Sequence, residues 1–238
     1  MPPTPPWPAR LVATSTLAPS VRGLVFERED GPVAFEPGQW VNLELGTDAA
    51  PLKRAYSIAS APTGGSSFEL AVTRIPGGPG SEALHAMQPG TIVRAHGPQG
   101  FFTRHADAGI PSLFVATGTG VTPLRSMIVA ALARGAREPM TLLFGVRTEA
   151  DILYRDELAA LAAQHPSFRV VVTLSRPSAA WTGATGYVQT HVAELWEALP
   201  EGRHVYVCGL DRMVKAVRDV ARKQLGAARE QVHSERYD

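Results

Sequence analysis

The class of fold is decided by the stretch SLFVATGTGVTPLRSM, residues 112–127. An apolar run, a turn rich in glycine and threonine, and an apolar pattern at helical spacing predict a buried strand followed directly by a helix. Pro123 suits the first turn of that helix, because a proline there gives up no hydrogen bond. Small residues let the backbone of the turn approach a ligand, so the turn is a candidate binding loop at the end of a strand.

The same order of strand then helix repeats towards the C-terminus. The elements predicted after residue 111 are Ser112–Ala116, Pro123–Arg134, Met140–Val146, Tyr154–Gln164, Phe168–Leu174, Val188–Leu199, Val205–Cys208 and Asp211–Leu225. A last strand leads into residues 235–238. This alternation predicts a Rossmann-like α/β domain, in which helices cover a parallel sheet.

Residues 9–104 follow a different pattern, of short strands separated by Gly, Pro and Asp. The predicted strands are Leu11–Leu17, Val21–Glu27, Trp40–Leu45, Ala55–Ser60, Phe68–Arg74 and Ile92–Gly97. Short strands at regular intervals with turn residues between them favour a closed antiparallel β-barrel. One short helix, Ser81–Met87, interrupts the strands, with Ser81 as its expected N-cap.

This change of pattern predicts two domains, an antiparallel barrel over residues 1–106 and an α/β domain over residues 107–238. Residues 1–8 are rich in proline and are expected to form an extended, flexible arm. No basic start leads into an apolar stretch there, so we expect no secretion signal and a cytoplasmic protein. Charges interrupt every apolar run before the roughly 18 residues that suggest a membrane span.

Composition excludes several classes of function. Residues 1–106 carry 8 basic and 8 acidic side chains and the remainder carries 15 and 14, so neither half has the excess charge of a nucleic-acid binder. The single cysteine, Cys208, excludes a disulfide within the chain and a cysteine-bound cluster, which needs about four ligands. No two of the 7 histidines have the spacing that places them on one helix face, so we expect no metal site.

Candidate binding residues follow the predicted strands of the α/β domain, where an open parallel sheet binds its ligands. The GTG run at 118–120 lacks the third glycine of the dinucleotide fingerprint, so it is equally explained as an ordinary turn. Arg147 follows the second strand, and Ser175 and Arg176 follow the third. Two arginines and a hydroxyl favour binding of the 2′-phosphate of NADP, whereas an Asp or Glu at these positions would favour the free ribose of NAD. Each arginine alone is also explained as a solvated surface residue.

The barrel half contains the run RAYSIAS at 54–60. Arg54 can neutralise a pyrophosphate, Tyr56 can stack on a flat heterocycle, and Ser57 can hydrogen-bond a ring nitrogen. Strand alternation puts Arg54 and Tyr56 on one face and Ser57 on the other, although an ordinary amphipathic strand has the same pattern. The run GGPGS at 77–81 opens the predicted helix and either presents amides to a phosphate or is a simple turn.

Taken in order, these runs resemble the ferredoxin–NADP reductase family of flavoenzymes. The likeness extends from about residue 10 to Tyr237, and the last three motifs below are similar to those of ferredoxin and flavodoxin reductases. The motifs are Arg54-x-Tyr56-Ser57, Gly80-Ser81, Gly97-Pro98-x-Gly100-x-Phe102, Gly118-Thr119-Gly120-x-x-Pro123, Tyr187-Val188-Gln189-Thr190, Cys208-Gly209-Leu210 and His233-Ser234-Glu235-Arg236-Tyr237. Without the resemblance, Cys208 is interpreted as a packing residue and the tail as a frayed end.

The resemblance implies an NADPH-dependent flavoprotein oxidoreductase with tightly bound FAD and with NADP(H) as co-substrate. It implies that Arg54, Gly80 and Ser81 hold the FAD pyrophosphate and that Tyr56 and Tyr237 enclose the flavin ring. The residues that it places at the site of hydride transfer are Ser57, Cys208, Glu235 and Tyr237. The residues that it places around NADP are Thr119, Gly120, Thr122, Arg147, Ser175, Arg176, Tyr187 and Gly209.

The chain departs from the family pattern at two positions. Thr185 stands where the plant-type enzymes have a lysine, two positions before the adenine-stacking Tyr187, and we expect Arg147 to replace that phosphate contact. Asp238 follows Tyr237, whereas the plant members end at the aromatic residue, and we expect the closing ring to be more mobile as a result.

Two other functions stay open. One is an NADH-dependent reductase component of an oxygenase system, against which Ser175 and Arg176 argue. The other is a flavin-binding electron-transfer subunit that does not use NAD(P). The expected electron partner is a ferredoxin or flavodoxin; these are acidic, and the sequence of neither half shows a basic patch to match. The resemblance favours a monomer.

Overall fold

The computed structural model describes residues 5–46, 50 and 52–237. The predictions for residues 1–4 of the arm and for Asp238 lie outside this part of the chain. Within it, a six-stranded antiparallel sheet precedes a six-stranded parallel sheet. The predicted fold class, an antiparallel barrel followed by a Rossmann-like α/β unit, is confirmed.

The antiparallel sheet is barrel-like. Its strands lie in the order β4-β3-β6-β1-β2-β5. The two edge strands meet just beyond β4, where the Ala59 N–H donates to the Glu69 carbonyl oxygen at 2.8 Å. The elements are β1 (Trp7–Ala18), β2 (Val21–Arg28), β3 (Trp40–Glu44), β4 (Lys53–Ser57), β5 (Ser67–Thr73), helix α1 (Pro79–Ala86) and β6 (Ile92–Gln99).

Alternate side chains of β1, β2 and β5 fill the core of the barrel. Trp7, Leu11, Phe26 and Phe68 are all fully buried. The Trp7 ring meets Phe68 edge-on, with 5.7 Å between ring centroids, and its Nε1–H donates to the Gly97 carbonyl at 3.0 Å. The prediction of a flexible arm up to residue 8 is therefore wrong from Trp7 onward, because burial of the indole outweighs the entropy of a free chain end.

Helix α1 begins at Pro79 with Gly78 as its N-cap, so the prediction of Ser81 as the N-cap is wrong. A proline at the first helical position starts the helix earlier than the pattern suggested. The Ser81 hydroxyl accepts a hydrogen bond from the Ile75 N–H at 3.0 Å and donates to the Gly78 carbonyl at 3.1 Å. It therefore closes the loop in front of the helix.

The parallel sheet has the strand order β10-β9-β8-β7-β11-β12. The chain adds β8, β9 and β10 on one side of β7 and then crosses over to add β11 and β12 on the other side. No helix in the described part of the chain is long and apolar enough to cross a membrane. The elements are β7 (Ser112–Thr117), α2 (Val121–Ala133), β8 (Met140–Val146), α3 (Arg155–Gln164), β9 (Phe168–Leu174), β10 (Ala184–Thr185), α4 (Val192–Glu197), β11 (His204–Leu210), α5 (Asp211–Asp219) and β12 (Val232–Tyr237).

The helix predicted over Val188–Leu199 is divided in the structure. A 3₁₀ turn covers Val188–Thr190 and α4 follows it. The Thr190 hydroxyl donates to the Tyr187 carbonyl at 2.8 Å, and such local bonds compete with regular α-helix. The apolar residues of the predicted pattern are nevertheless buried, so the prediction that they belong to the core is confirmed; they are Val188, Val192, Leu195, Trp196 and Leu199.

Candidate active site

The end of β4, the start of α2 and the C-terminal strand β12 meet at one place between the two sheets. The Ser57 hydroxyl, at the end of β4, donates to Glu235 Oε1 at 3.1 Å. The hydroxyls of Thr122 and Tyr237 lie 3.1 Å apart, within hydrogen-bonding distance. Both bonds join residues far apart in the sequence, and the first also joins the two domains. Together with Cys208, these side chains are called the junction below.

Strand pairing explains how the junction forms. β12 runs parallel to β11, and Cys208 lies opposite Glu235 while Leu210 lies opposite Tyr237. Cys208 also lies opposite Ala116 of β7, so it is on a central strand and fully buried. Since side chains alternate along a strand, Glu235 and Tyr237 are on one face of β12, towards the barrel.

Burial governs the acidity of the junction. It raises the pKa of the Glu235 carboxyl, against the opposing effect of the hydrogen bond from Ser57. Burial, and then the charge of Glu235, raise the pKa of the Cys208 thiol. Burial, and then the proximity of Cys208, raise the pKa of Tyr237. At neutral pH the cysteine and tyrosine are therefore uncharged hydrogen-bonding groups, and Glu235 holds a proton more readily than a solvated carboxyl does.

The glycine run at 118–120 crosses close to β11. A Cβ on Gly120 would lie 2.3 Å from the Cys208 carbonyl oxygen, so only glycine fits there. Gly118 has φ +53°, a left-handed conformation that favours glycine. The loop then starts α2, where the Thr122 hydroxyl donates to the Thr119 carbonyl at 2.8 Å. Thr119 and Thr122 are therefore brought to the same place as Tyr237. The close packing on β11 accounts for the glycines by itself, so a binding loop and an ordinary turn both stay open.

Thr117 is a polar residue of the site that sequence reasoning missed. Its hydroxyl oxygen is buried and has no hydrogen-bond partner among the described residues. A Cβ on Gly209 would lie 2.4 Å from that oxygen, so glycine leaves room around it. The only sequence signal was a threonine at the end of an otherwise apolar strand. An unpaired buried hydroxyl costs free energy, which marks this position as a candidate ligand contact.

Arg54 and Tyr56 lie over the first turn of α1. A Cβ on Gly80 would lie 2.8 Å from Arg54 Cγ and 3.3 Å from the Tyr56 hydroxyl. The exposed Arg54 guanidinium donates to the Lys53 carbonyl at 2.8 Å and has no ion pair among the residues that the structure describes. A free guanidinium, an aromatic ring and the amides of a helix N-terminus suit a pyrophosphate joined to a flat ring. The Ser81 hydroxyl is bonded to Ile75 and Gly78, so it is already engaged by the loop in front of the helix.

The ends of β8 and β9 lie side by side at the far edge of the sheet. The Arg176 N–H donates to the Arg147 carbonyl at 2.8 Å, and the Ser175 N–H donates to the Val146 carbonyl at 3.1 Å. Tyr187 follows β10, which pairs with the end of β9, and is 67% exposed. Arg147, Ser175, Arg176 and Tyr187 are called the phosphate edge below.

An acid, Glu149, lies beside the phosphate edge and was overlooked in the sequence. Its carboxylate accepts hydrogen bonds from the Ser178 hydroxyl at 2.6 Å and the Ser178 N–H at 3.0 Å. These bonds keep the pKa of Glu149 below its usual range. The carboxylate is therefore already engaged by the loop that follows β9, whereas both arginine side chains are exposed.

Both halves of the chain match families of oxidoreductase domains. The oxidoreductase FAD-binding domain family matches residues 8–103, and the oxidoreductase NAD-binding domain family matches residues 114–219. The chain is thus a two-domain flavin- and nicotinamide-dependent oxidoreductase. It is 56% identical over 239 residues to ferredoxin–NADP reductase B of Sorangium cellulosum, with 98% of each chain covered. The chain belongs to the ferredoxin–NADP reductase family.

Two of the other similar proteins are longer than this chain, and a third has about the same length. The chain is 34% identical to the phenol 2-monooxygenase reductase component DmpP of a Pseudomonas species, covering 84% of this chain but only 57% of that protein. The cytochrome P450 reductase GcoB of Amycolatopsis has a TM-score of 0.87 at 29% identity, covering 98% of this chain and 69% of that one. A ferredoxin–NADP⁺ reductase from Neisseria gonorrhoeae shares the fold, with a TM-score of 0.84 at 22% identity, over 96% and 97% of the two chains.

Proposed function

We propose that the chain is an FAD-dependent ferredoxin–NADP⁺ reductase that transfers hydride between NADPH and FAD and exchanges single electrons with a ferredoxin or flavodoxin. The observation that carries this proposal is the hydrogen bond from Ser57 to Glu235, which joins the two domains next to the loop 118–122. A relative of this name, aligned over 98% of both chains, supports the proposal.

The cradle over α1 is the proposed site of the FAD pyrophosphate. Arg54 would neutralise its charge, and the amides at Gly80 and Ser81 would donate to its oxygens. Tyr56 would lie against the flavin, and burial raises its pKa so that the phenol stays neutral. Tyr237 would cover the opposite face, and in the structure its hydroxyl is held by Thr122.

The junction is the proposed site of hydride transfer. When bound there, FAD supplies the ring that accepts or donates the hydride, and the protein supplies geometry and polarity. Ser57 and Cys208 would orient the stacked rings from two sides. Glu235, with its raised pKa and its bond from Ser57, is suited to hold a proton beside them. Tyr237 would have to move aside for the nicotinamide, since reacting atoms must approach to about 3–3.5 Å.

The phosphate edge is the proposed site of the NADP 2′-phosphate and adenine. Arg147 and Arg176 would bind the phosphate, Ser175 would donate a hydrogen bond, and the exposed Tyr187 ring would stack on the adenine. The remaining contacts would come from the nicotinamide side of the sheet, at Thr119, Gly120, Thr122 and Gly209. Exposed arginines support NADPH over NADH as the preferred co-substrate.

A basic face on α5 and the turn after it favours an acidic electron partner. Lys215, Arg218, Arg222 and Lys223 line one open depression there. Lys215 is ion-paired with Asp211 and Lys223 with Asp219, so the excess positive charge of the face comes from the two arginines. This face was not evident in the sequence because its basic residues are separated by core positions. Ferredoxins and flavodoxins are the acidic partners that we propose for a monomeric, cytoplasmic enzyme.

The first test is an anaerobic titration of the purified protein with NADPH and with NADH, following flavin absorbance and identifying the flavin released on denaturation. Bleaching at far lower NADPH than NADH concentration, with FAD released, is the expected result. Preferential bleaching by NADH would favour a reductase component of an oxygenase system, the second candidate, which the likeness to DmpP supports. A yellow protein bleached by neither would be an electron-transfer module that does not use NAD(P).

A further inference from the structure

One arginine outside the junction connects both domains. Arg125 lies in α2, within two turns of the loop 118–122, and its side chain is 13% exposed. Its guanidinium contacts two carboxylates, a carbonyl and an aromatic ring. We call this group, Arg125 with Glu69, Tyr154 and Glu157, the Arg125 cluster.

The barrel supplies one side of the cluster. Arg125 Nη1 donates to Glu69 Oε2 at 3.0 Å and to the Ala59 carbonyl at 2.8 Å. Ala59 lies two residues after Ser57, and its N–H is itself bonded to the Glu69 carbonyl. The next residue of α2 reinforces the attachment, because the Ser126 hydroxyl donates to the Ser60 carbonyl at 2.7 Å. The chain just beyond Ser57 is thus attached directly to α2.

The α/β domain supplies the other side. Arg125 Nε donates to Glu157 Oε2 of α3 at 2.9 Å. The guanidinium lies over the Tyr154 ring, 4.2 Å from its centroid, and the Tyr154 hydroxyl donates to Glu69 Oε1 at 3.0 Å. Tyr154 has φ +55°, a conformation that is unfavourable for a residue with a side chain. Its contacts with Arg125 and Glu69 hold it there, so the cluster is a built feature and not a pair of solvated ions.

The two carboxylates differ in one respect. Both bond to Arg125 at nearly the same distance, but Glu69 is on the barrel and Glu157 is on the same domain as Arg125. Loss of Glu69 would loosen α2 from the barrel, whereas loss of Glu157 would loosen it only from α3. α2 begins at the loop 118–122, which faces the junction. Loss of Glu69 would therefore change the distance between this loop and the Ser57 end of β4.

We propose that Arg125 is a positioning residue for hydride transfer, which fixes the loop 118–122 against the Ser57 end of β4 through Glu69 and the Ala59 carbonyl. The inference rests on the proposed function, since it assigns to Arg125 the alignment of the nicotinamide with the flavin. Misplacement of reacting groups by about 1 Å lowers a rate by up to roughly a hundredfold, so a loosened loop acts on the rate more than on affinity.

The test compares Glu69→Gln with Glu157→Gln. Each substitution replaces one of the two carboxylates bonded to Arg125 by a neutral amide of the same size. Stopped-flow reduction of the FAD-loaded protein by NADPH gives the limiting rate and the apparent dissociation constant. We expect E69Q to lower the limiting rate about tenfold and to leave the dissociation constant within about twofold, with E157Q close to wild type in both. Arg125→Gln should match E69Q, and Arg125→Lys, which keeps the charge without the fork, should recover part of the rate.

Hydrogen–deuterium exchange of the protein without added NADPH supplies a readout that does not depend on activity. E69Q should speed exchange in residues 57–60 and 118–126, and E157Q only in α3. Equal effects of the two variants on rate, or a wild-type rate in E69Q, would overturn the proposal.

If E69Q does not fold, Tyr154→Phe removes only the bond to Glu69 and should shift the rate in the same direction. Failure of the wild-type protein to react with NADPH would instead refute the proposed function, and exchange would still test the attachment of α2.

Discussion

The junction and the phosphate edge are two polar regions at the carboxyl side of the same sheet, built in opposite ways. The junction gathers side chains from β4, α2, β11 and β12, which are buried or half-buried and bonded to one another. The phosphate edge takes exposed side chains from neighbouring loops, joined mainly by backbone bonds such as Arg176 N–H to the Arg147 carbonyl. The side chains of the first region are held by one another, and those of the second are open to solvent.

This difference predicts different roles. Groups held in place by burial and mutual hydrogen bonds act on the rate of a reaction, because they are already oriented when the reacting atoms meet. In the junction this applies to Ser57, Cys208 and Glu235, whereas Tyr237 would first move aside for the nicotinamide. Exposed charges on mobile side chains act on affinity and on the choice between related ligands. Substitutions in the two regions should therefore separate the limiting rate from the dissociation constant.

The largest effect is expected for Glu235→Gln. The amide keeps the shape of the side chain but cannot carry a negative charge. A carboxylate would stabilise the positive charge that develops on the nicotinamide as the hydride leaves, so we expect the limiting rate of flavin reduction by NADPH to fall about a hundredfold, with little change in affinity. Stopped-flow absorbance measures both quantities. Glu230→Gln, at an exposed position ahead of β12, is the control and should behave as wild type. Equal losses in rate and affinity would remove the distinction between the two regions.

The second effect is expected at the phosphate edge. Arg176→Ala should weaken NADPH binding roughly tenfold, leave NADH binding unchanged and keep the limiting rate at saturation, because a lost charge-assisted hydrogen bond affects only the ligand that carries the phosphate. Difference spectra with NADP⁺ and NAD⁺ measure the two affinities. Arg169→Ala, an exposed arginine earlier on β9, is the matched control. Equal weakening of both nucleotides would argue against a 2′-phosphate contact.

A smaller effect tests the unpaired hydroxyl of Thr117. Thr117→Val keeps the shape and removes the buried polar atom, so we expect the protein without nucleotide to gain about 1 kcal/mol in free energy of unfolding. Thr122→Val, whose hydroxyl is bonded to Thr119 and Tyr237, should lose about 1 kcal/mol in the same urea titration. A loss of stability in Thr117→Val would show that the hydroxyl already has a partner.

The smallest effect lies far from both regions, at Glu44 on the barrel surface. His96, then Lys53 and Arg94, lower the pKa of its carboxyl to about 2. The lowered pKa stabilises the fold above the ordinary value of 4.5, and this contribution is lost as the pH falls from there towards about 2. Glu44→Gln should therefore reduce stability at neutral pH, with the difference from wild type vanishing near pH 2, and should leave NADPH oxidation unchanged. A constant difference at all pH values would exclude the ionic explanation.

Local patterns were sufficient for much of the fold and part of the site. The alternation of strand and helix after residue 111 predicted the parallel sheet, because helical and strand periods differ in the sequence. Strand alternation predicted that Arg54 and Tyr56 share one face of β4. The nearness of both side chains to Gly80 agrees with that prediction. The roles assigned to these residues stay predictions for the experiments above.

Other features depended on contacts between distant segments. Trp7 lies in a proline-rich run that predicted a flexible arm, and only its packing on Phe68 makes it part of the core. The Arg125 cluster had no sequence signal, since an arginine in the middle of a helix is most often a solvated residue. Thr117 was hidden for the same reason, because an unpaired hydroxyl is recognised only when all its neighbours are known.

The strand pattern of residues 9–104 and the alternation of strand and helix after residue 111 were enough to distinguish the two kinds of sheet, since these periods depend on steric rules that act over a few residues. The class of ligand was predicted from the resemblance of the ordered motifs to a known family. Three-dimensional packing was needed to show that Ser57 meets Glu235, that Arg125 joins α2 to the barrel and that the basic residues of α5 share one face. Such contacts arise from burial of the two cores and the register of β12 on β11, which no short stretch of sequence encodes.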